Sequence, residues 1–268
     1  MKRIHMILLC IIGICLIFPA KASAEDPKAR EIMTKVHARN DGDNEITELK
    51  MILIDQQGKE RVRDMKSYVK DKGEDTLRLM FFLSPADVKD TAFLTYDYDD
   101  PDKDDDQWLY LPALKKSKRI ASSDKDNSFM GSDFSYADMT KPDIENYDYT
   151  IIKEDKVRGE DVWVIKAVPR TEKVVEEYGY TQSVAFVRKD IFMVVRAVHW
   201  VKEGNKLKYM DIESIKQIDG VWTPVKTEMT TKQGKLTLHK TILSRENIRF
   251  NQNLDENFFT IMQMEKGM

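Results

Sequence analysis

Six turn signals at hairpin spacing divide most of this chain into segments of alternating apolar and polar residues, a pattern that only an antiparallel sheet satisfies throughout. The signals are Asp55-Gln56-Gln57-Gly58, Lys72-Gly73, Arg158-Gly159-Glu160, Glu203-Gly204-Asn205, Asp219-Gly220 and Lys232-Gln233-Gly234. Each supplies a glycine for the positive φ that tight turns demand. Between them Met51 and Leu53, then Met65 and Val69, then Leu77, Leu79, Phe81 and Leu83 recur with period two, which puts successive side chains on opposite faces of a strand. From Tyr180 to Glu246 the pattern continues as a meander of long strands, with Val184, Phe186, Val198, Trp200, Trp222 and Met229 supplying bulk. About eleven or more strands are implied, and a sheet that large must curl or close to protect its edges.

Four segments depart from this period. From Pro27 to Ala38, Ala29, Ile32, Met33 and Val36 recur at spacings of three and four, with Asp26 placed to cap the start and Gly42 beyond the end, which predicts one amphipathic helix. Ser84-Pro85-Ala86-Asp87 has the order of a capped helix start and predicts a short helix to about Thr91. The insert Ser122 to Asn146 contains Ser135 and Asp138 at capping-box spacing, and Thr171 to Tyr178 reads as a loop or one helical turn. No internal repeat and no Pro- or Ser-rich linker breaks the chain, so residues 25–268 are expected to form a single domain.

The first 24 residues stand apart. Lys2 and Arg3 precede an apolar run from Met6 to Phe18, and Ala22-Ser23-Ala24 supplies a small-x-small cleavage site, the form of a secretory signal peptide. A run of 13 residues is short of the roughly 20 that a spanning helix needs. Cys10 and Cys15 are the only cysteines, and each follows a bulky residue, so a lipid-modified anchor is not expected. Cleavage would leave 244 residues with no cysteine and a formal charge of −6. Such a chain has no disulfide framework, thiol nucleophile or thiolate metal site and must hold itself together by its core. Export in this form implies the periplasm of a Gram-negative source, with secretion the lesser alternative. Lys+Arg at 43 against Asp+Glu at 46 argues against a nucleic-acid partner, which would select a basic excess.

Little in the residues points to bond-making chemistry. His37, His199 and His239 have no metal-ligand spacing and read as partly buried or surface histidines. No nucleophile elbow, phosphate-binding loop or dinucleotide fingerprint occurs, so neither enzyme activity nor a cofactor nor a metal site is expected. Seven of the ten residues from Asp97 to Asp106 are Asp, but the spacing lacks a calcium loop's turn glycine and closing Glu and reads as a solvated hairpin tip. Lys115, Lys116, Lys118 and Arg119 form a basic cluster beyond it. It is either a strand end facing the acidic tip or a docking surface for a partner or an anionic membrane.

Two stretches carry excess apolar surface. Trp108-Leu109-Tyr110-Leu111-Pro112-Ala113-Leu114 is apolar on both faces, so both must be covered or one must face a cavity. The insert carries Phe129, Met130, Phe134, Tyr136 and Met139 on pieces too short for a core of their own.

These stretches, Trp108 to Leu114 leading to Lys118-Arg119-Ile120, and Phe129-Met130-Gly131-Ser132-Asp133-Phe134-Ser135-Tyr136-Ala137-Asp138-Met139, resemble the outer-membrane lipoprotein-sorting family, the LolA-like proteins. In particular they are similar to its longer branch found beside lipid-exporting membrane pumps. The resemblance implies a mainly β fold with some α: a strongly bent, incomplete antiparallel β-barrel around an apolar cavity, with an N-terminal helix and short lid helices. It further implies a periplasmic carrier of lipid or lipoprotein acyl chains between inner and outer membrane, with transient membrane contact and an inner-membrane transporter of the lipid-exporting type as partner. Leu79, Phe81, Leu94, Tyr96, Trp108 and Tyr110 on the strands and Phe129, Phe134, Tyr136 and Met139 in the lid are the expected lipid contacts, although a one-residue shift would exchange the strand faces. An arginine is expected to latch the lid; Arg61, Arg63 and Arg78 are the candidates by strand position. The alternative reading is a periplasmic sensor or adaptor that binds a membrane protein through the same half-barrel.

Overall fold

The computed structural model describes residues 25–268; the expected signal peptide and both cysteines lie outside the described residues. A helix, α1 (Pro27–His37), leads into thirteen strands: β1 (Asn44–Asp55), β2 (Glu60–Lys72), β3 (Asp75–Ser84), β4 (Ala92–Asp97), β5 (Asp106–Leu111), β6 (Lys116–Arg119), β7 (Tyr147–Val157), β8 (Glu160–Pro169), β9 (Tyr180–Arg188), β10 (Met193–Val201), β11 (Lys206–Ile218), β12 (Val221–Gln233) and β13 (Leu236–Phe250). Helix α2 (Glu172–Tyr178) joins β8 to β9, and α3 (Ile261–Lys266) follows β13. The strands form one antiparallel sheet in the order β6-β5-β4-β3-β2-β1-β13-β12-β11-β10-β9-β8-β7, which does not close into a barrel. Two consecutive meanders, β1–β6 and β7–β13, are zipped together where β1 pairs with β13, Met51 opposite Leu243 and Leu53 opposite Thr241. All six turn signals join consecutive strands, and each of their glycines has positive φ.

Local signals explain the helices. Asp26 caps α1 by accepting from the amides of Lys28 and Ala29, and Thr171 caps α2 through the amide of Val174, which makes this segment a full seven-residue helix ended by left-handed Gly179. The helix expected after Ser84 is absent. Residues 85–91 form hydrogen-bonded turns instead, because β3 runs to Ser84 and β4 starts at Ala92, and the amide of Asp90 already closes the hairpin on the Phe82 carbonyl. The insert between β6 and β7 contains four short 3₁₀ turns, Ser122–Asp124, Phe129–Gly131, Ala137–Met139 and Ile144–Asn146. Among the described residues no helix is long and apolar enough to cross a membrane.

Alternation divides the core between the two faces. Ile165, Ala185, Ala197, Met210, Met229, Thr241 and Leu53 lie opposite one another from strand to strand and define one continuous inner face. On its β7–β9 end α1 and α2 pack through Ala29, Ile32, Val174 and Tyr178. At the other end the insert packs on Met51, Leu53, Met65, Met80, Phe82, Phe93 and Leu109. The outer face of β3–β5 carries Leu77, Leu79, Phe81, Ala92 and Leu94, and the C-terminal segment covers it with Phe258, Phe259 and Met264. Where bulges in β10 and β11 bend the sheet, Val162, Val164, Met193, Val195 and Ile212 form a further cluster.

The C-terminal cover is thus part of the core. Truncating the fully buried ring in Phe259→Ala should lower the unfolding free energy by about 3–5 kcal/mol in urea titrations, whereas a loss below about 1 kcal/mol would mean that this segment does not pack on the sheet.

Candidate functional site

The insert sits on the inner face and is built from the residues upward as a side-chain cover. Phe129, with no exposed surface, enters the sheet between Phe82 and Phe93, its ring 6.1 Å from the first and 5.1 Å from the second. Tyr136 stands edge-on to it at 5.6 Å. Its capping box forms as the spacing predicts: Ser135 N–H donates to Asp138 Oδ2 at 2.7 Å, and Asp138 N–H donates to Ser135 Oγ at 3.1 Å.

Polar side chains of the sheet hold the cover in place. Asp133, only 4 % exposed, accepts hydrogen bonds from Thr231 Oγ1 at 2.5 Å and Thr241 Oγ1 at 2.7 Å, and pairs with His239 Nδ1 at 2.6 Å. Gln107 Nε2 donates to the Tyr136 carbonyl at 2.9 Å, and Tyr180 donates its hydroxyl to Asp138. Arg63 donates to the carbonyl of Met130, whose φ of 50° turns that carbonyl toward the strand. Lys125 is almost fully buried and pairs with Glu177 of α2. By contrast, among the described residues no backbone–backbone hydrogen bond joins residues 121–143 to a strand.

The expected contacts therefore divide. Phe129, Phe134, Tyr136 and Met139 come together on the inner face. Leu79, Phe81, Leu94, Tyr96, Trp108 and Tyr110 also come together, but on the outer face, beneath Phe259 and Met264, with Tyr96 donating to the Phe259 carbonyl at 2.7 Å. The strand face shared with the insert is the one displaced by one residue: Met80, Phe82, Phe93 and Leu109. Alternation along β3–β5 is apolar on both faces, so only the choice of cover, α3 on one side and the insert on the other, distinguishes them.

Beside the insert an open cavity of about 340 Å³ runs along the inner face. Leu49, Met80, Phe134, Met139 and Leu243 give it an apolar wall, and Arg39, Asp41, Glu45, Asp71, Arg78, Asp97, Lys141 and Arg245 a charged one. Most of these charges are engaged: Arg245 pairs with Glu45, and Lys141 with Asp41 at 2.8 Å. Burial, with the charge of Asp105 second, raises the Asp97 carboxyl to about 7, against the opposing hydrogen bond from the Lys141 amide.

Comparison with solved structures decides the family. A crystallised outer membrane lipoprotein-sorting protein domain from Vibrio parahaemolyticus is 33% identical over 89% of this chain and 98% of its own, with a TM-score of 0.80. This chain belongs to the outer-membrane lipoprotein-sorting family. A DUF1329 family protein from Desulfovibrio piger is 28% identical over 90% of this chain and all of its own, with a TM-score of 0.81. A LolA superfamily protein from Nitrosomonas europaea shares the fold at 16% identity and a TM-score of 0.66, covering 88% of this chain and 98% of its own. A family model described as an uncharacterized protein matches residues 74–266, and no curated protein matches the sequence.

In this lipoprotein-sorting fold the three arginine candidates have three different places. Arg63 bonds the insert, Arg61 is exposed at the start of β2, and Arg78 lines the cavity. His239 was not legible as a holder of the insert, because Asp133 lies 106 residues away and only the fold brings them together. His199 is structural: it stacks on Tyr180 at 4.6 Å, bonds Ser183 at 2.7 Å, and burial lowers its pKa to about 4. At the basic cluster Arg119 pairs with Asp106 and Lys118 with Asp124 at 3.7 Å, so part of it does face the acidic hairpin, while Lys115 and Lys116 remain exposed at the edge strand β6.

Two outcomes follow. Asp133→Ala strands three donors and should cost about 2–3 kcal/mol in stability, with hydrogen exchange accelerated across residues 128–139 and unchanged in β7–β9; equal acceleration everywhere would refute a local anchor. For Asp97 the folded state binds a proton that the unfolded state, at the usual 3.8, has released. The stability this adds is full below about 4 and is lost as pH rises through about 7. Asp97→Asn should therefore melt above the native protein at about pH 8, with the gap narrowing steadily as pH falls from about 7 toward about 4, and parallel melting profiles would exclude the raised carboxyl.

Proposed function

We propose that this protein is a carrier that takes up lipid or lipoprotein acyl chains on the inner face of its half-barrel and moves them between inner and outer membrane through the periplasm, without covalent chemistry. One observation carries the reading: a cover rich in aromatic side chains lies on an apolar sheet face and is held there by side chains alone. Such a cover can lift without unzipping a strand, and lifting it frees Met65, Phe82, Phe93 and Leu109 together with the apolar wall of the cavity.

The energetics favour exchange. At about 0.8 kcal/mol per buried CH₂, a chain of a dozen methylenes gains on the order of 10 kcal/mol. The hydrogen bonds that hold the cover contribute roughly 0.5–1.5 kcal/mol each, somewhat more where Asp133 or Arg63 is a partner. Cargo can therefore replace the insert on the inner face, and a partner with a better site can reverse the exchange. The lipid contacts in this reading are Phe129, Phe134, Tyr136 and Met139 with the inner-face residues beneath them. Residues 1–24 serve as the signal peptide and 25–268 as the single carrier domain. We assign the transient contact with an inner-membrane transporter of the lipid-exporting type to Lys115, Lys116, Lys118 and Arg119 on the exposed edge strand.

Native mass spectrometry of the gently purified protein, followed by solvent extraction, should find bound lipid. A protein that emerges lipid-free and takes up no fluorescent acyl probe would sink the carrier reading and leave the adaptor. Charge reversal at Lys115, Lys116 and Lys118 should abolish capture of the membrane partner with lipid uptake unchanged; retained capture removes the basic edge from the reading.

A further inference from the structure

Arg78 stands on β3 at the centre of the cavity's charged wall, and it differs from every cation around it. Arg245 is taken by Glu45, Lys141 by Asp41, and Arg39 by the carbonyls of Asn40 and Trp222 at 3.0 and 2.8 Å. Among the described residues the guanidinium of Arg78 has neither a hydrogen bond nor an ion pair. Burial disfavours its charge, with Arg245 adding to the effect, while Glu45 and Asp97 offset it from a distance. An arginine does not give up its proton to relieve that cost.

Two polar residues neighbour it on the sheet, of which Ser67 lines the cavity with Arg78. Thr95 lies directly opposite Arg78 on β4, and Ser67 lies diagonal to it on β2, all three on the inner face. Both hydroxyls are 1 % exposed, and neither has a hydrogen-bond partner. Buried hydroxyls without partners are uncommon and costly. A planar fork of N–H donors on the same cavity wall as the Ser67 hydroxyl matches the oxygens of a carboxylate or phosphate. The adjoining wall of Leu49, Met80, Phe134 and Leu243 is apolar.

We propose that Arg78, with Ser67, seats the anionic oxygen head of an amphiphile whose tail runs along Leu49, Met80 and Phe134 toward the insert. The inference rests on the carrier reading and specifies its cargo as acidic rather than neutral or cationic. A cavity of about 340 Å³ lies at the small end of ligand sites of about 300–1,000 Å³, room for a head group and part of a tail. The inner face beneath the insert would take the remainder. Carboxylates on the same wall do not forbid an anion: Glu45 and Asp41 are neutralised by their partners, Asp97 is largely protonated below about pH 7, and Asp71, raised by burial, accepts from Thr76 at 3.2 Å.

The test uses the delipidated protein and displacement of a fluorescent acyl probe by dodecanoate, dodecyl phosphate and methyl dodecanoate, with inorganic phosphate as the tail-free control. The two anions should bind at least tenfold more tightly than the ester. Arg78→Gln should bring them down to the ester's affinity while leaving the ester unchanged, and Arg78→Lys should restore part of the preference. Phosphate alone should neither displace the probe nor raise the melting temperature. Equal binding of acid and ester by the native protein, a measurement that needs no variant to fold, overturns the head-group site and leaves the carrier intact. So does an Arg78→Gln protein that loses all three ligands alike. Tight binding of phosphate alone overturns the amphiphile in favour of a free-anion site. Binding of no acyl ligand overturns the carrier reading and this inference with it.

Discussion

A thirteen-stranded antiparallel sheet that does not close leaves two faces and two edges to be protected, and every other element of this protein is positioned by that requirement. The join between β1 and β13 turns two local meanders into one surface, and the inner face then needs more cover than any single helix supplies. Helices α1 and α2 take one end of it, the insert takes the other, and the C-terminal segment seals the outer face of β3–β5. The two edge strands are managed differently. β6 carries Lys116, Lys118 and Arg119, whose charge discourages pairing with another chain, while β7 is flanked by α1.

The covers are not equivalent. The C-terminal segment packs its fully buried Phe259 and Met264 on a face already dense with aromatic and aliphatic groups. The insert combines a comparable plug, Phe129, with a ring of polar ties from β2, β5, β9, β12 and β13. Polar ties exchange readily for water, and apolar contacts exchange readily for an acyl chain, so in the proposed carrier this is the cover that cargo displaces.

At the cavity the same economy of pairing is visible in the charges. Two carboxylates and two cations cancel in neighbouring pairs, Arg245 with Glu45 and Lys141 with Asp41. Against that background a guanidinium with no partner in the protein stands out, as do two hydroxyls buried without a hydrogen bond, which cost free energy that the fold does not recover internally.

Period and punctuation are local properties, and they were enough for the strands, the six hairpin turns, the Asp26 cap and the Ser135–Asp138 box, since each depends on residues within a few positions of one another. The turn after Ser84 escaped that logic because strand pairing between β3 and β4 left no room for the helix its first residues favour. The family resemblance lay in contiguous residues as well, and so did the apolar excess of the Trp108 strand and the insert. What the tertiary structure alone decided is which side of that strand faces which cover. β3–β5 are apolar on both faces, and a period of two is blind to the difference between Phe81 and Phe82. It also decided that His239 would meet Asp133, that Arg63 rather than Arg61 would reach the insert, and that Arg78 would be left without a partner. Those outcomes are set by sheet register and twist over a hundred or more residues, and no local pattern encodes them.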